Sequence, residues 1–298
     1  MYIAGLILTY SVWAIWAVQT ARLWSAGNTF IDYLIWCAFL LPFFSISFGL
    51  FGFQFSFFKI IPFAVIVYSL RSGKLSADAF YVAFYFLLVF IVSYSYVLIT
   101  GKYQDLMFFG RPWSRAVFGP AVQAIPFLCA IVLPFFIINT NQRGILRIVY
   151  SYILGCLALV IIGYIQLLIY ALEFPWFKHW FLADAFGRNV DYGLALRAMS
   201  QGVYRMSSLG GEPRHFGAFL TVAIMLMIWM KNEGLDSVGM TKPKWWLILI
   251  ILLSGIVLSY SSSAMLALVI GFAIYSFFNS IRLFFITAII STPHSLLN

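Results

Sequence analysis

Apolar residues recur along the chain in runs of about twenty, broken by short stretches carrying Lys, Arg, Asp, Gly or Pro, which is the length that crosses a hydrocarbon core of about 30 Å. The runs predict spans at 1–18, 31–50, 57–70, 79–100, 116–138, 148–172, 214–230, 245–260 and 263–281. Backbone polar groups in lipid must be satisfied within the protein, and these runs are too long and too evenly apolar for the alternating strands of a barrel. The predicted fold is therefore all-α, a polytopic transmembrane helical bundle of about nine spans plus a partial tenth, with one long extracytoplasmic loop. The third run is short for a straight crossing and holds Lys59, which would have to snorkel, so the stretch at 51–57 reads as a shallow or re-entrant hairpin. After Arg282, the apolar stub at 283–290 reaches only roughly 12 Å as a helix before Ser-Thr-Pro breaks it, and the chain is expected to stop inside a larger architecture. The organisation expected is an N-terminal transmembrane bundle at 1–172, an extracytoplasmic loop at 173–213, and C-terminal transmembrane helices at 214–298 that form an incomplete set.

Composition sharpens this picture. Of 298 residues, 63% are hydrophobic and 9% charged, against roughly 45–50% and about 25% in soluble domains, which excludes a water-soluble globule. The formal charge of +9 is spread over short loops, so the basic residues act as topology signals and not as a nucleic-acid patch. Placing the segment after Ile169 outside puts Arg22, Arg71, Lys74, Arg143, Arg147, Lys231, Lys242, Lys244 and Arg282 in the cytoplasm. Only Lys59, Lys102, Arg111 and Arg115 then fall in short outside loops, and the N-terminus lies outside. The first run starts at Met1 with no Lys or Arg before Arg22, so it lacks the leader of a secretory signal and reads as a retained span. Cys37, Cys129 and Cys156 lie inside apolar runs without CxxC spacing, which points to packing and to neither a metal nor a disulfide.

The one extensive polar stretch inside the chain is 173–213, with Asp184, Arg188, Asp191, Arg197, Arg205 and Glu212 set among Trp176, Phe177, Trp180, Phe181 and Phe186. Aromatics at that level either anchor a loop to the lipid interface or stack on sugar rings, and 184–204 reads as a short amphipathic helix lying on the bundle. The densest cluster runs Tyr204-Arg205-Met206-Ser207-Ser208-Leu209-Gly210-Gly211-Glu212-Pro213-Arg214-His215-Phe216-Gly217 into the next apolar helix. Gly210 and Gly211 permit a tight turn, Pro213 suits the first turn of a helix, and Glu212 is favoured by the positive end of its dipole. A plain turn leading into a helix, with a snorkelling Arg214, is the bland account. Against it, Arg205, Glu212, Arg214 and His215 crowd a membrane boundary, where ionisable groups mark function by default.

This cluster resembles the Arg…Gly…Glu-Pro-Ser/Asn…Gly/Ala signature of the O-antigen ligase and O-antigen polymerase family, bacterial membrane proteins that handle lipid-linked sugars. Arg205, Gly210 or Gly211, Glu212, Pro213 and Gly217 take the family's positions, and Arg214 stands where the family has Ser or Asn. The family's following helix pair meets at a Ser-Arg-Gly or serine-rich turn, matched here by Leu258-Ser259-Tyr260-Ser261-Ser262-Ser263-Ala264, with Ser262 at the place of the arginine. Family members continue into further spans and a second loop with a histidine motif, so the resemblance implies a C-terminally truncated member.

The resemblance implies glycosyl transfer at the outer face of the bacterial cytoplasmic (inner) membrane, in O-antigen, exopolysaccharide or capsule biosynthesis, by a polymerase or a ligase. The donor would be an undecaprenyl-pyrophosphate-linked glycan, the partners this lipid-linked oligosaccharide, membrane lipids and polysaccharide assembly proteins, with no cofactor, metal or nucleic acid. Arg205, Glu212 and His215 are the candidate catalytic residues, and Arg214, Arg197, Arg188, Trp176 and Trp180 the candidate substrate-binding ones. A guanidinium holds a departing pyrophosphate by paired charge-assisted hydrogen bonds where water is scarce, with Arg205 the first choice and Arg214 the second. Glu212 or His215 would take the proton of the acceptor hydroxyl. No P-loop, nucleotide-binding glycine fingerprint, Asp-x-Asp pair or metal-ligand spacing is visible. The competing readings are a transporter or flippase, whose ionisable residues belong near the bilayer midplane, and a non-catalytic assembly subunit. Asp32 and Asp78 lie at predicted span ends, which disfavours the carrier.

Overall fold

The structure, a computed structural model, describes residues 2–25, 30–43, 47–50, 53–56, 60–61, 64, 67, 77–99, 141–172, 205–206, 208, 213–233 and 239–279. Among these are seven helices: α1 (Tyr2–Ser25), α2 (Phe30–Leu40), α3 (Ala77–Ile99), α4 (Gln142–Ala171), α5 (Pro213–Glu233), α6 (Lys242–Ser259) and α7 (Ser262–Asn279). Three stretches, Gln142–Leu168, Pro213–Asn232 and Lys242–Ser259, are long and apolar enough to cross a membrane, and they mark this as a membrane protein. Shorter apolar helical stretches are Ile31–Leu40, Tyr81–Ser93 and Ser262–Phe277. The expected span at 116–138, the apolar stub at 283–290, Cys129, Lys59 and most of 57–70 lie outside the described residues.

Local chemistry explains the helix limits. Asn141 starts α4, its Oδ1 accepting the Gly144 N–H at 2.8 Å. That start precedes the expected one at 148, because Arg143 and Arg147 continue the helix beyond its apolar part instead of ending it. Pro213 opens α5, and Pro243 sits in the first turn of α6, where a missing N–H leaves no bond unmade. Ser261 caps α7, its Oγ accepting the Ala264 N–H at 3.4 Å.

The expected single span at 31–50 is not one helix. α2 ends at Leu40, ahead of Pro42, whose ring cannot continue it, and the chain then forms an antiparallel pair, β1 (Ser47–Leu50) and β2 (Phe53–Ser56), with Phe48 opposite Phe55. The hairpin expected at 51–57 thus begins earlier and is extended backbone, so the all-α expectation holds only outside it. Phe48, Leu50, Phe53 and Phe55 alternate with Ser47, Gly49, Gln54 and Ser56, a period of two that a search for apolar runs passes over.

α4 is the hub. It packs against α2 on one side and against α5 and α6 on the other, while α5 also packs on α6 and α7. The core is built from Ile153, Cys156, Leu159 and Val160 of α4, Phe216, Leu220, Ile224 and Met227 of α5, and Leu252 and Ile256 of α6. The spacings of three and four place these on one face of each helix, and the opposite faces stay apolar and exposed, as at Ile161, Val222, Leu247 and Ile250. In lipid there is little hydrophobic drive between helices, so close packing and hydrogen bonds must hold them. Both are present. Ser151 Oγ donates to Ile35 O at 2.7 Å, Tyr152 OH to Phe219 O at 3.2 Å and Trp245 Nε1 to Met227 O at 3.0 Å, and Tyr164 bonds Ser254. Cys37 and Cys156 are free, buried packing residues.

The helix directions gather Arg22, Arg143, Arg147, Lys231, Lys242 and Lys244 at one end of the bundle and Arg205, Arg214 and His215 at the other.

Gly155 marks the closest helix approach, since a Cβ there would run into the carbonyl of Phe39 in α2. In a free helix Gly→Ala stabilises by about 0.5–1 kcal/mol, whereas overpacking costs about 1–3 kcal/mol. Gly155→Ala is therefore expected to lower the melting temperature in detergent. Gly271→Ala, where the added Cβ meets the flexible Met225 Sδ at 3.1 Å, is expected to leave it within a degree or two.

Candidate functional site

α6 ends, like any helix, with carbonyls that its own backbone cannot satisfy. Tyr260 turns into the left-handed region at φ 46, and its N–H closes back on Val257 O at 3.1 Å. The carbonyls of the last turn are taken up by a segment far away in sequence. Met206 N donates to Leu258 O at 2.9 Å, Arg205 Nε to Ser259 O at 3.1 Å and Arg205 Nη2 to Tyr260 O at 2.9 Å. A guanidinium is favoured there by the negative end of the helix dipole as well as by its fork of donors. Nη1 makes none of these bonds.

The same segment is pinned to α4. Met206 is fully buried over Gly163, where a Cβ would lie 2.6 Å from the methionine Cγ and Sδ. Ser208 N donates to Gln166 Oε1 at 2.8 Å, one turn further along that face. Ser208 adopts φ 50, an uncommon conformation for a residue with a side chain, and is fully buried. Gln166 is 1% exposed in the apolar second half of α4, so its amide is committed to the protein interior.

The third component is the turn between α6 and α7. Ser259 Oγ donates to Ile256 O at 2.7 Å and accepts the Ser261 N–H at 3.3 Å, while Ser261 and Ser263 share a hydroxyl pair at 3.1 Å. The first turn of α5 lies against it. A Cβ on Gly217 would be 2.5 Å from Ala264 Cβ and 3.5 Å from Ser259 Oγ, so only glycine permits this approach. Thr221 Oγ1 adds a bridge, near both Gly217 O at 3.0 Å and Ala264 O at 3.3 Å. Arg214 projects outward from this turn and His215 is half-buried in it.

Of the sequence-predicted residues, Arg205, Arg214 and His215 therefore share one corner with the serine-rich turn. Glu212, Arg188, Arg197, Trp176 and Trp180, and the amphipathic helix expected at 184–204, lie outside the described residues. Sequence reasoning missed Gln166 and the cap that Arg205 makes. An amide within an apolar run was the available signal for the first, while the second has none, because it joins positions 54 residues apart. Among the described residues no group of three His, Cys, Asp or Glu side chains could hold a metal ion. No protein-family model, curated protein or solved structure matches this chain.

Gln166→Leu keeps the volume and removes the acceptor for Ser208, a change expected to cost about 1–3 kcal/mol. Hydrogen exchange at the Ser208 amide should accelerate at least tenfold in this variant while the centre of α4 keeps its protection. Unchanged exchange would show that this bond does not hold the segment.

Proposed function

We propose that the corner formed by Arg205, the first turn of α5 and the turn at 259–263 is the reaction site of a multi-pass glycosyl transferase acting on lipid-linked glycans in a bacterial inner membrane. The observation that carries this is the placement of Arg205. Its guanidinium is held by the carbonyls of Ser259 and Tyr260 at the end of α6, beside the turn that bears Arg214 and His215. The two motifs behind the resemblance to O-antigen polymerases and ligases are thus neighbours in space.

A fork oriented by two carbonyls needs no rearrangement to meet an anion with its outer nitrogen, which is the economy of a preorganised electrostatic site. In the proposed reaction the acceptor hydroxyl oxygen attacks the anomeric carbon of the donor glycan as the bond from that carbon to the pyrophosphate oxygen breaks. The bonding pair leaves with the undecaprenyl pyrophosphate, whose growing negative charge faces Arg205 and Arg214. The hydroxyl proton passes to Glu212 or His215. Arg188 and Arg197 of the 173–213 loop would steer the anionic carrier, and Trp176 and Trp180 would stack on its sugars.

The opposite end of the bundle holds Arg143, Arg147, Lys231, Lys242 and Lys244, so the positive-inside rule supports an orientation with this corner at the outer face. About nine spans and a partial tenth, with a long external loop, complete the proposed topology. Charged residues of the described helices sit in their outer turns, which speaks against an ion-coupled carrier or flippase. One observation favours the second reading, a non-catalytic assembly subunit, because Nε and Nη2 of Arg205 already serve as a helix cap.

Single substitutions separate the two. Arg205→Lys, Glu212→Gln and His215→Gln, assayed with purified protein and in cells for polymer length and accumulated lipid-linked glycan, are each expected to lower transfer by about 10²–10³-fold if the corner is catalytic. Normal membrane insertion with unchanged product in all three would leave the assembly-subunit reading standing.

A further inference from the structure

The end of the bundle away from the serine turn carries a second constellation. Lys231, in the last turn of α5, has its Nζ 5.0 Å from the centroid of Trp245 and 5.5 Å from that of Trp246. The two indoles meet edge to face at 4.8 Å. Trp245 is buried and bonded to α5 through Met227 O, whereas Trp246 is 54% exposed. On the other flank of α6, Lys244 Nζ lies 5.9 Å from the Tyr150 ring of α4. The first turns of α6 therefore tie α5 and α4 together through cation–π contacts, with exposed Lys242 in the first turn of α6.

The surrounding charges are unequal. Arg143 and Arg147 lie in the first turns of α4, and Arg147 is paired with Asp32 at 3.6 Å. Glu233 ends α5, and Asp236 is the acidic residue between α5 and α6. Indole and phenol rings with an apolar body and a polar tip settle at the level of lipid headgroups, and lysines beside them hold their ammonium groups outward of that level. Directly beyond, the outer face of α6 continues through exposed Leu247 and Ile250. A cationic cluster joined without interruption to an apolar track matches a molecule with a phosphate at one end and hydrocarbon at the other. A nucleic acid or an acidic peptide would use only the first half.

We propose that this end binds anionic phospholipids, their phosphates held by Lys231 and Lys242 on one flank of α6 and by Lys244 on the other, and their acyl chains laid along Trp246, Leu247 and Ile250. The site is separate from the glycan corner and holds whether or not that corner is catalytic. Clustered basic side chains at a membrane surface select anionic headgroups in this way.

The full chain in detergent, titrated with phosphatidylglycerol and followed by thermal melting, tests the proposal, with phosphatidylcholine and sodium phosphate as parallel arms. Phosphatidylglycerol is expected to raise the melting temperature by several degrees and the other two by less than one. Lys231→Gln with Lys244→Gln should demand roughly 30-fold more phosphatidylglycerol for the same rise, and Lys231→Arg with Lys244→Arg should restore it. Should the double glutamine variant fail to fold, Lys242→Gln, which leaves both ring contacts in place, is expected to require roughly fivefold more. An equal rise with phosphatidylcholine or with phosphate alone overturns the proposal, as does an unchanged requirement in the glutamine variants.

Discussion

The carbonyls at the end of α6 have to find hydrogen bonds, and in a bundle set in lipid they must find them within the protein. Arg205 and Met206 supply the donors. Because those donors arrive on a segment between α4 and α5, satisfying one helix end fixes the path of a chain that would otherwise only link two spans. Gln166 and the hollow over Gly163 hold that path from the other side. The arginine, the first turn of α5 and the hydroxyl-rich turn before α7 are neighbours as a result, which gives the proposed glycan site its rigidity.

Cations do different work at the two ends of the molecule. At the corner, a guanidinium faces backbone oxygens with two of its nitrogens, a task suited to a planar fork. At the opposite end, ammonium groups face aromatic rings at 5.0–5.9 Å, contacts that tolerate changes in angle. The division follows the partners of each cation, since carbonyl oxygens demand fixed hydrogen-bond directions and ring faces do not.

Packing between the helices uses smallness and polarity together. Gly155 admits the backbone of α2, Gly255 admits Leu220 and Val160, and Gly217 admits Ala264. Next to these approaches stand bonds from Ser151, Tyr152 and Thr221 to carbonyls on neighbouring helices. Each pairs a close contact with a satisfied polar group, the combination that gives specificity where burial from water contributes little.

The apolar runs at 79–100, 148–172, 214–230, 245–260 and 263–281 announced their helices from composition alone, because the cost of placing charge in lipid is paid residue by residue and needs no partner. Arg205, Arg214 and His215 were legible as candidates for the same reason, being ionisable groups at a span boundary. The strands at 47–56 were not, beyond a hairpin expected at 51–57, since alternation inside an apolar stretch looks like a continuous run until Pro42 and the strand register divide it. Nor was the role of Gln166 or the seat of Arg205. A hydrogen bond between positions 42 or 54 residues apart leaves no spacing to read, so only the folded bundle decided which carbonyls each donor meets.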